Sequence, residues 1–376
     1  NAAAQANPAS LGAAPVNTQA SDADFSVIPE VSFAHRINDN IVYGFSMTGT
    51  AGMGVDYDDA AFGTATDNGL FRMKTALQLL KVAVPVSYQL NGLSVGIAPV
   101  LQYGTLEMSH MAQTGFAGVA PNAGPTYALL DNGKSSDTSI GYEVGVAYDF
   151  KDLGVEGLTL GAVYKSELGM TYDNTISASL AAFNADSAIT SGDNLDQPAE
   201  IGVGVAYAFG ESTIALDYKN VAWGDAAGYS DFGWEDQDIY SIGYEYATSG
   251  WAVRVGYNYA ESPIVEQAGD VSNYIGAVKN FFNQAGFPGI VESHFTIGGS
   301  YSVNEDLELD LAVVYADEVT NSFDTTGMTA AFIYGGAIAN GMTVAQAQGA
   351  SAAAPASSIE TTHSQLGVTI GASYKF

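Results

Sequence analysis

Cysteine is absent from the chain, which excludes a disulfide framework and a thiolate metal site. The same absence suits a polypeptide that must cross an oxidising periplasm unaided. Cations are scarce too: 11 lysines and arginines stand against 41 acids, for a formal net charge of -30. So few cations cannot neutralise a run of phosphates, and a nucleic-acid partner is excluded. No stretch of about twenty apolar residues occurs, so no transmembrane helix is available. The four histidines, His35, His110, His294 and His363, lie on separate segments without metal-ligand spacing. A Gly-x-Ser-x-Gly elbow is missing as well. Acidic clusters such as Asp56, Asp58 and Asp59 lack the calcium-loop pattern and read as a solvated rim. An enzyme, a metal site and a cofactor are therefore not expected.

What is present is alternation. From Thr361 to Phe376, Leu366, Val368, Ile370, Ala372, Tyr374 and Phe376 share one face, and Gln365, Gly367, Thr369, Gly371, Ser373 and Lys375 the other. A period of two is the signature of a strand. Similar windows recur near 28–36, 41–57, 76–89, 92–108, 139–150, 157–173, 199–209, 212–223, 238–248, 250–261, 292–303, 305–317 and 361–376. In one of them Leu307, Leu309, Leu311, Val313 and Tyr315 oppose Asp306, Glu308, Asp310, Ala312 and Val314. Apolar residues on one face with small or polar ones on the other is the pattern of a strand between lipid and a lumen. A soluble β-sandwich also alternates, but its outer face would carry Lys, Glu and Thr rather than Val and Leu on every strand. A spanning chain without helices has to close into a barrel, because lipid cannot satisfy an open sheet edge.

Connections alternate in length. Asn38-Asp39-Asn40, Asn91-Gly92, Gly210-Glu211, Ser249-Gly250 and Asn304-Glu305 are short, whereas 58–75, 109–138, 174–198, 224–237, 262–291 and 318–360 are long. Short periplasmic turns and long outer loops set the orientation. Tyr43, Tyr57, Tyr103, Tyr148, Tyr207, Tyr246 and Tyr315 fall at strand ends, as aromatic girdles require. The opening Asn1-Ala2-Ala3-Ala4 reads as a mature or trimmed start. The fold class expected is all-β: a transmembrane antiparallel β-barrel in the bacterial outer membrane.

Thirteen windows are one short of an even count. The stretch from Tyr43 through Gly44, Phe45 and onward to Tyr57 resembles the third strand of the FadL family of outer-membrane channels, which take up long-chain fatty acids, toluene and related hydrocarbons. Asn7-Pro8-Ala9 is similar to the motif that follows that family's N-terminal hatch. Ile28-Pro29-Glu30 through Arg36-Ile37-Asn38-Asp39, Tyr164-Lys165-Ser166-Glu167, Ser262-Pro263 and the closing Tyr374-Lys375-Phe376 also fit. The resemblance implies fourteen strands, a movable plug and a monomer in contact with outer-membrane lipid and lipopolysaccharide. Its domain expectation is a plug remnant over 1–27 and a barrel over 28–376. About twenty residues separate Asn7 from Pro29, too few for the family's first strand and its loop, so the windows read as strands two to fourteen.

Three residue sets are candidates for function. Glycine inside a strand marks a bulge or a close approach, and Gly49, Gly52 and Gly54 cluster in the window 41–57. The resemblance implies that this strand kinks inward and opens a side exit to the membrane; the bland alternative is glycine making room for the plug. The outer loops are unusually apolar: Met108, Met111, Phe116, Ile176, Leu180 and Phe183 suggest a capture groove for greasy ligands, or loops that cap the barrel. Val271, Tyr274, Ile275, Val278, Phe281 and Phe282 fall at helical spacing. By strand parity Lys165, Glu167, Asp217, Lys219, Glu245, Arg254, Glu308 and Asp310 point inward, most simply as an ion-pair network holding the plug, the alternative being carboxylate ligand binding.

One departure from the family bears on the ligand. His110 stands where the resemblance implies a basic ligand contact, and the second such contact falls near Phe232 or Gly233, where no cation occurs. A mostly neutral histidine makes an alkane or aromatic at least as apt as a fatty acid. The expected function is passive uptake of hydrophobic small molecules by capture at the loops, passage through the lumen and lateral release. The alternative is a structural or adhesive barrel with ligand-binding acidic loops.

Overall fold

The structure is a computed structural model that describes residues 3–6, 17–57, 72–115, 126–185 and 188–376. Sixteen strands form a single antiparallel sheet. They are β1 (Ala3–Ala6), β2 (Asn17–Ala20), β3 (Glu30–Arg36), β4 (Ile41–Tyr57), β5 (Met73–Ala83), β6 (Val86–Leu90), β7 (Leu93–Gly115) and β8 (Thr126–Asp149), then β9 (Leu158–Lys165), β10 (Glu200–Phe209), β11 (Ser212–Val221), β12 (Gln237–Ala247), β13 (Trp251–Ala260), β14 (Ser293–Ser302), β15 (Leu307–Asp324) and β16 (Ser358–Tyr374). Four helices lie in the long connections: α1 (Ile176–Ala181), α2 (Tyr274–Ala285), α3 (Thr326–Ala339) and α4 (Val344–Ala352).

From β7 to β16 each strand pairs with the next in sequence. The window expected at 76–89 is interrupted at Val84-Pro85, because proline cannot donate to the ladder, and β5 and β6 are its two parts. β2 and β3 are likewise two parts of one pass: between them Asp22 donates from its backbone to the Asp56 carbonyl (2.7 Å) and Gly49 donates to the Pro29 carbonyl (3.1 Å). Sixteen strands therefore make fourteen passes of the wall. β1 pairs with β16 on one side and β2 on the other, which closes the ring at its outer end. The expectation that the first pass has no room is thus corrected: four residues hold its place. Further down, β3 and β16 each pair on one side only among the described residues.

The expected plug segment is placed only in part. Asn7, Pro8 and Ala9 lie outside the described residues, and Asn17–Ala20 takes its hydrogen bonds in the wall. Within 1–27, Ala3–Ala6 and Asn17–Ala20 pair in the wall, as does Asp22 with Asp56.

The short turns are as the sequence suggests. At Asn91-Gly92 both residues take positive φ (48° and 78°), the two-residue hairpin turn that asparagine and glycine favour. Outward positions of β7 are apolar from Leu93 through Val95, Ile97 and Leu101 to Tyr103, then turn polar at Thr105, Glu107 and Ser109. Some ten residues cross a bilayer, so the rest of this 23-residue strand rises beyond the lipid. The connection expected as a loop over 109–138 is largely a continuation of the β7–β8 ladder, which runs out to Gly115 opposite Thr126. Conversely, the window 157–173 leaves the wall at Lys165. Its last part crosses the mouth, bonded through Leu168 and Gln197 (2.9 and 3.0 Å) and through Leu195 and Met170 (2.9 Å).

The hydrophobic core fills this outer end. Val55, Leu77, Leu79, Leu106 and Met108 on the inner faces of β4, β5 and β7 pack against Met170 and Tyr172, Ile176 and Leu180 of α1, and Val278 and Phe282 of α2. Each such side chain contributes about 1.5–3 kcal/mol by leaving water. The helical spacing read in 270–286 is realised by α2, capped at its start by Asn273, whose side chain accepts from the Gly276 backbone (3.0 Å). Toward the periplasmic end the lumen is lined by small residues, among them Ser94, Gly96, Gly145, Gly161 and Gly204, and holds a cavity of about 590 Å³.

Candidate functional site

The wall is broken beside β4. Ser46 to Gly49 pair with Ala83 to Leu80, but the next pair is Ala51 with Leu79, leaving Thr50 as an extra residue. A bulge of one residue exchanges the faces of a strand. Gly49 points outward before it, whereas Ala51, Met53 and Val55 point into the core after it, with Gly52 and Gly54 outward. On the other edge β3 follows β4 up to Glu30 opposite Thr48, and the chains rejoin at Asp22 and Asp56. Between these points, no hydrogen bond joins 23–28 to 50–55 among the described residues. The gap opens on an outer cleft of about 720 Å³, lined by Phe25, Ser26, Ile28, Gly52, Leu80 and Tyr103 among others.

The three glycines differ in what they permit. A Cβ on Gly52 would meet nothing nearer than Ser26, at 3.9 Å, so the position faces open space. One on Gly49 would press on Ile28 Cγ2 at 2.8 Å. One on Gly54 would lie inside the Thr75 carbonyl of the neighbouring strand, so the approach of β4 to β5 requires glycine there.

The loop residues expected to form an open groove are placed otherwise. Met108 and His110 are only 2% exposed, on the inner face of β7. Ile176 and Leu180 are buried in α1, and Phe183 packs against the same core. Met111 is half-buried on the opposite face of β7, and Phe116 lies outside the described residues. Their apolar surface is taken up by mutual packing, the arrangement of loops that cap the barrel. His110 stacks on Phe183 (centroids 5.1 Å apart) and meets Phe282 edge-on (5.8 Å). It stands beyond the apolar band of β7, so its surroundings are protein. Burial drives its pKa down to about 4, against a hydrogen bond to the Ser179 backbone that acts the other way. At neutral pH the ring is uncharged, with Nε2 buried and without a hydrogen-bond partner.

Beside it lies a small cavity lined by Leu106, Met108, Ile176, Tyr229, Trp234 and Phe287, with space of about 20 Å³, room for one water. Trp234 donates to Asn283 Oδ1 (3.0 Å) and Asn283 to the Phe232 carbonyl (2.9 Å), so the polar groups of this wall are satisfied. Among the described residues no cation lines it. Among the described residues the lining of this cavity is aromatic and aliphatic, with uncharged polar groups only.

The lumen charges form pairs rather than one network. Lys165 and Lys219 converge on Glu200 (2.9 and 3.4 Å), Lys81 meets Glu143 (2.7 Å), and Arg254 bridges Glu245 (2.6 Å) and Ser300 (2.6 Å). Among the described residues, Glu167, Asp217, Glu308 and Asp310 make no ion pair. Glu167 lies past the end of β9, where burial, with Asp196 and Asp225 nearby, raises its pKa. Glu308 accepts from Ser302 Oγ at 3.4 Å, Asp217 covers Gly204, and Asp310 stands against Gly371. Glu200, Lys81 and Glu143 were not anticipated. Glu200 is in phase with the inward Gly202 and Gly204 and was legible by parity, whereas Lys81 was not, because on β5 the apolar residues point inward.

An apolar outer band, an antiparallel wall whose ring closes at its outer end and loops packed into its mouth define an outer-membrane β-barrel. Residues 2–357 match the family described as outer membrane protein transport protein, comprising OMPP1, FadL and TodX. The chain belongs to that family. It is similar in fold to the Pseudomonas putida toluene transporter TodX at 17% identity (TM-score 0.63), covering 100% of this chain and 87% of that one. A Pseudomonas aeruginosa FadL homologue is similar at 15% identity (TM-score 0.58; 99% and 87% covered), as is the Ralstonia pickettii toluene transporter TbuX at 15% (TM-score 0.54; 100% and 87%). No curated protein matches.

Proposed function

We propose that this protein is a passive outer-membrane channel for hydrophobic small molecules, which enter through the loop core and leave sideways through the break beside β4. The observation that carries the reading is the interrupted ladder between 23–28 and 50–55, backed by a cleft of about 720 Å³ on the outer face whose lower wall, Leu80 and Tyr103, reaches the top of the apolar band. An apolar solute leaving there passes into lipid without being rehydrated, which for apolar surface costs about 25 cal/mol per Å². Because the mouth is closed around a cavity of about 20 Å³, entry requires α1 and α2 to part from the inner face of β7.

The neutral His110 and the aromatic cluster of Tyr229, Trp223 and Trp234 suit an uncharged ligand better than a carboxylate. We therefore read the preferred substrate as a neutral hydrocarbon, aromatic or aliphatic, with long-chain fatty acids second. The toluene transporters among the similar structures agree with that order. The test is uptake of labelled toluene, a labelled alkane and labelled oleate by cells that lack their own channel of this type and express this chain. Uptake of the hydrocarbons above that of oleate is expected. Oleate alone would reverse the order, and no uptake from a folded barrel would overturn the channel reading.

A further inference from the structure

The cleft beside β4 faces the membrane, and its lining changes character with height. Leu80 and Tyr103 form its lower wall, at the top of the apolar band, with Phe25 and Ile28 along its edge. Above them the lining turns polar through Gln78, Thr105, Ser136 and Lys134. Apolar below and polar with a cation above is the profile of a membrane's outer leaflet, where acyl chains lie beneath charged heads.

Lys134 is the cation that lines the cleft; like Lys151 and Lys279 it has no carboxylate partner among the described residues. In a chain with 11 cations, Lys74, Lys81, Lys165 and Lys219 each reach a carboxylate within 3.4 Å. Lys134 makes no ion pair among the described residues and donates only to Gln78 Oε1, at 3.2 Å. Glu107 stands directly across the ladder from it but is engaged by Lys74 at 2.9 Å. An exposed ammonium, left over in a protein of net charge -30, remains at the rim of an apolar slot.

We propose that this cleft is a binding site for an anionic lipid of the outer leaflet, its acyl chain against Leu80, Tyr103 and Ile28 and its phosphate on Lys134. The lipid closes the side exit at rest, and a departing solute displaces its chain. The inference does not depend on which molecule the channel carries. A free fatty acid would offer the same chemistry, with a carboxylate in place of the phosphate, but among the described residues no cation lines the small cavity of the loop core to pass one inward.

Because the chain has no cysteine, Ser26→Cys gives a single labelling site in the cleft. The labelled barrel would be placed in vesicles of phosphatidylcholine containing brominated phosphatidic acid or brominated phosphatidylcholine, and quenching of an environment-sensitive dye at that site recorded. Phosphatidic acid is expected to be favoured by about five-fold, the contribution of one exposed ion pair. Lys134→Gln should abolish the preference, while Lys151→Gln, in a turn at the opposite end, should keep it. Equal quenching by both lipids, or a preference that survives Lys134→Gln, overturns the proposal. Oleate that competes in a Lys134-dependent way while phosphatidic acid shows no preference overturns it too, in favour of a free acid. Loss of hydrocarbon uptake without any change in lipid preference would count against the channel reading instead.

Discussion

Replacing Gly52 by tryptophan separates transport from folding. The new Cβ would have Ser26 as its nearest neighbour, at 3.9 Å, and the indole would extend into the cleft rather than into protein. A glycine within a strand also gains β-propensity on substitution, so the folding cost should be about zero, within roughly 1 kcal/mol either way. An indole covers about 150–250 Å² of surface, enough to obstruct a cleft of about 720 Å³. The comparison is Gly54→Ala, two residues on. There one methyl group collides with the Thr75 carbonyl, β4 must move from β5, and about 1–3 kcal/mol is lost without any obstruction of the cleft. Both variants would be expressed in channel-free cells, heat-modifiable gel mobility would report assembly, and uptake of labelled toluene would report transport. The expected pattern is a folded Gly52→Trp barrel with uptake at background and a less heat-stable Gly54→Ala barrel with uptake retained. Normal uptake by folded Gly52→Trp would refute lateral exit at this place.

Three further outcomes are expected. His110→Arg buries a cation between Phe183 and Phe282 with no carboxylate to meet it, so the loop core should lose about 3–5 kcal/mol, seen as faster protease cleavage of the outer loops; an unchanged cleavage rate would show that the mouth is open in solution. Asp231 should make the loop core acid-sensitive. Burial alone would raise its pKa, but hydrogen bonds from Ser191 and Thr190 outweigh that and hold it below the ordinary 3.8. Its contribution is then present above the unfolded value and lost as pH falls through the folded one, so protease resistance should drop in acid, with a flatter profile in Asp231→Asn. Glu200→Gln leaves Lys165 and Lys219 without their shared carboxylate; these groups are a quarter to two-fifths exposed, so stability should change by less than about 1 kcal/mol, while lumen conductance in planar bilayers should shift toward anions.

Much of the barrel was legible in the residues. The band of β7, the faces of β10 to β14 and the turn at Asn91-Gly92 follow from alternation and turn chemistry, because lipid on one side and a lumen of small residues on the other impose a strict period of two. The same rule failed at the outer end for one reason. There the inner face is also apolar, since Leu77, Leu79, Leu106 and Met108 meet the loops, so apolar no longer means outward. That inversion hid Lys81, whose neighbours in sequence suggest the wrong phase.

The candidate site shows the same division. Local pattern alone reveals that strand β4 carries glycines where a strand should not and that the loops are greasy; the pairing of His110 with a cation-free position near Phe232 comes from the family resemblance. That the loop residues are packed away rather than presented emerges in three dimensions, because burial depends on which surfaces meet across the mouth. The bulge at Thr50 lies between two glycines and breaks no local pattern, and the cleft beside it exists only because 23–28 and 50–55 part company. Alternation is a property of single strands and survives in sequence; a gap between strands is a property of pairs and does not.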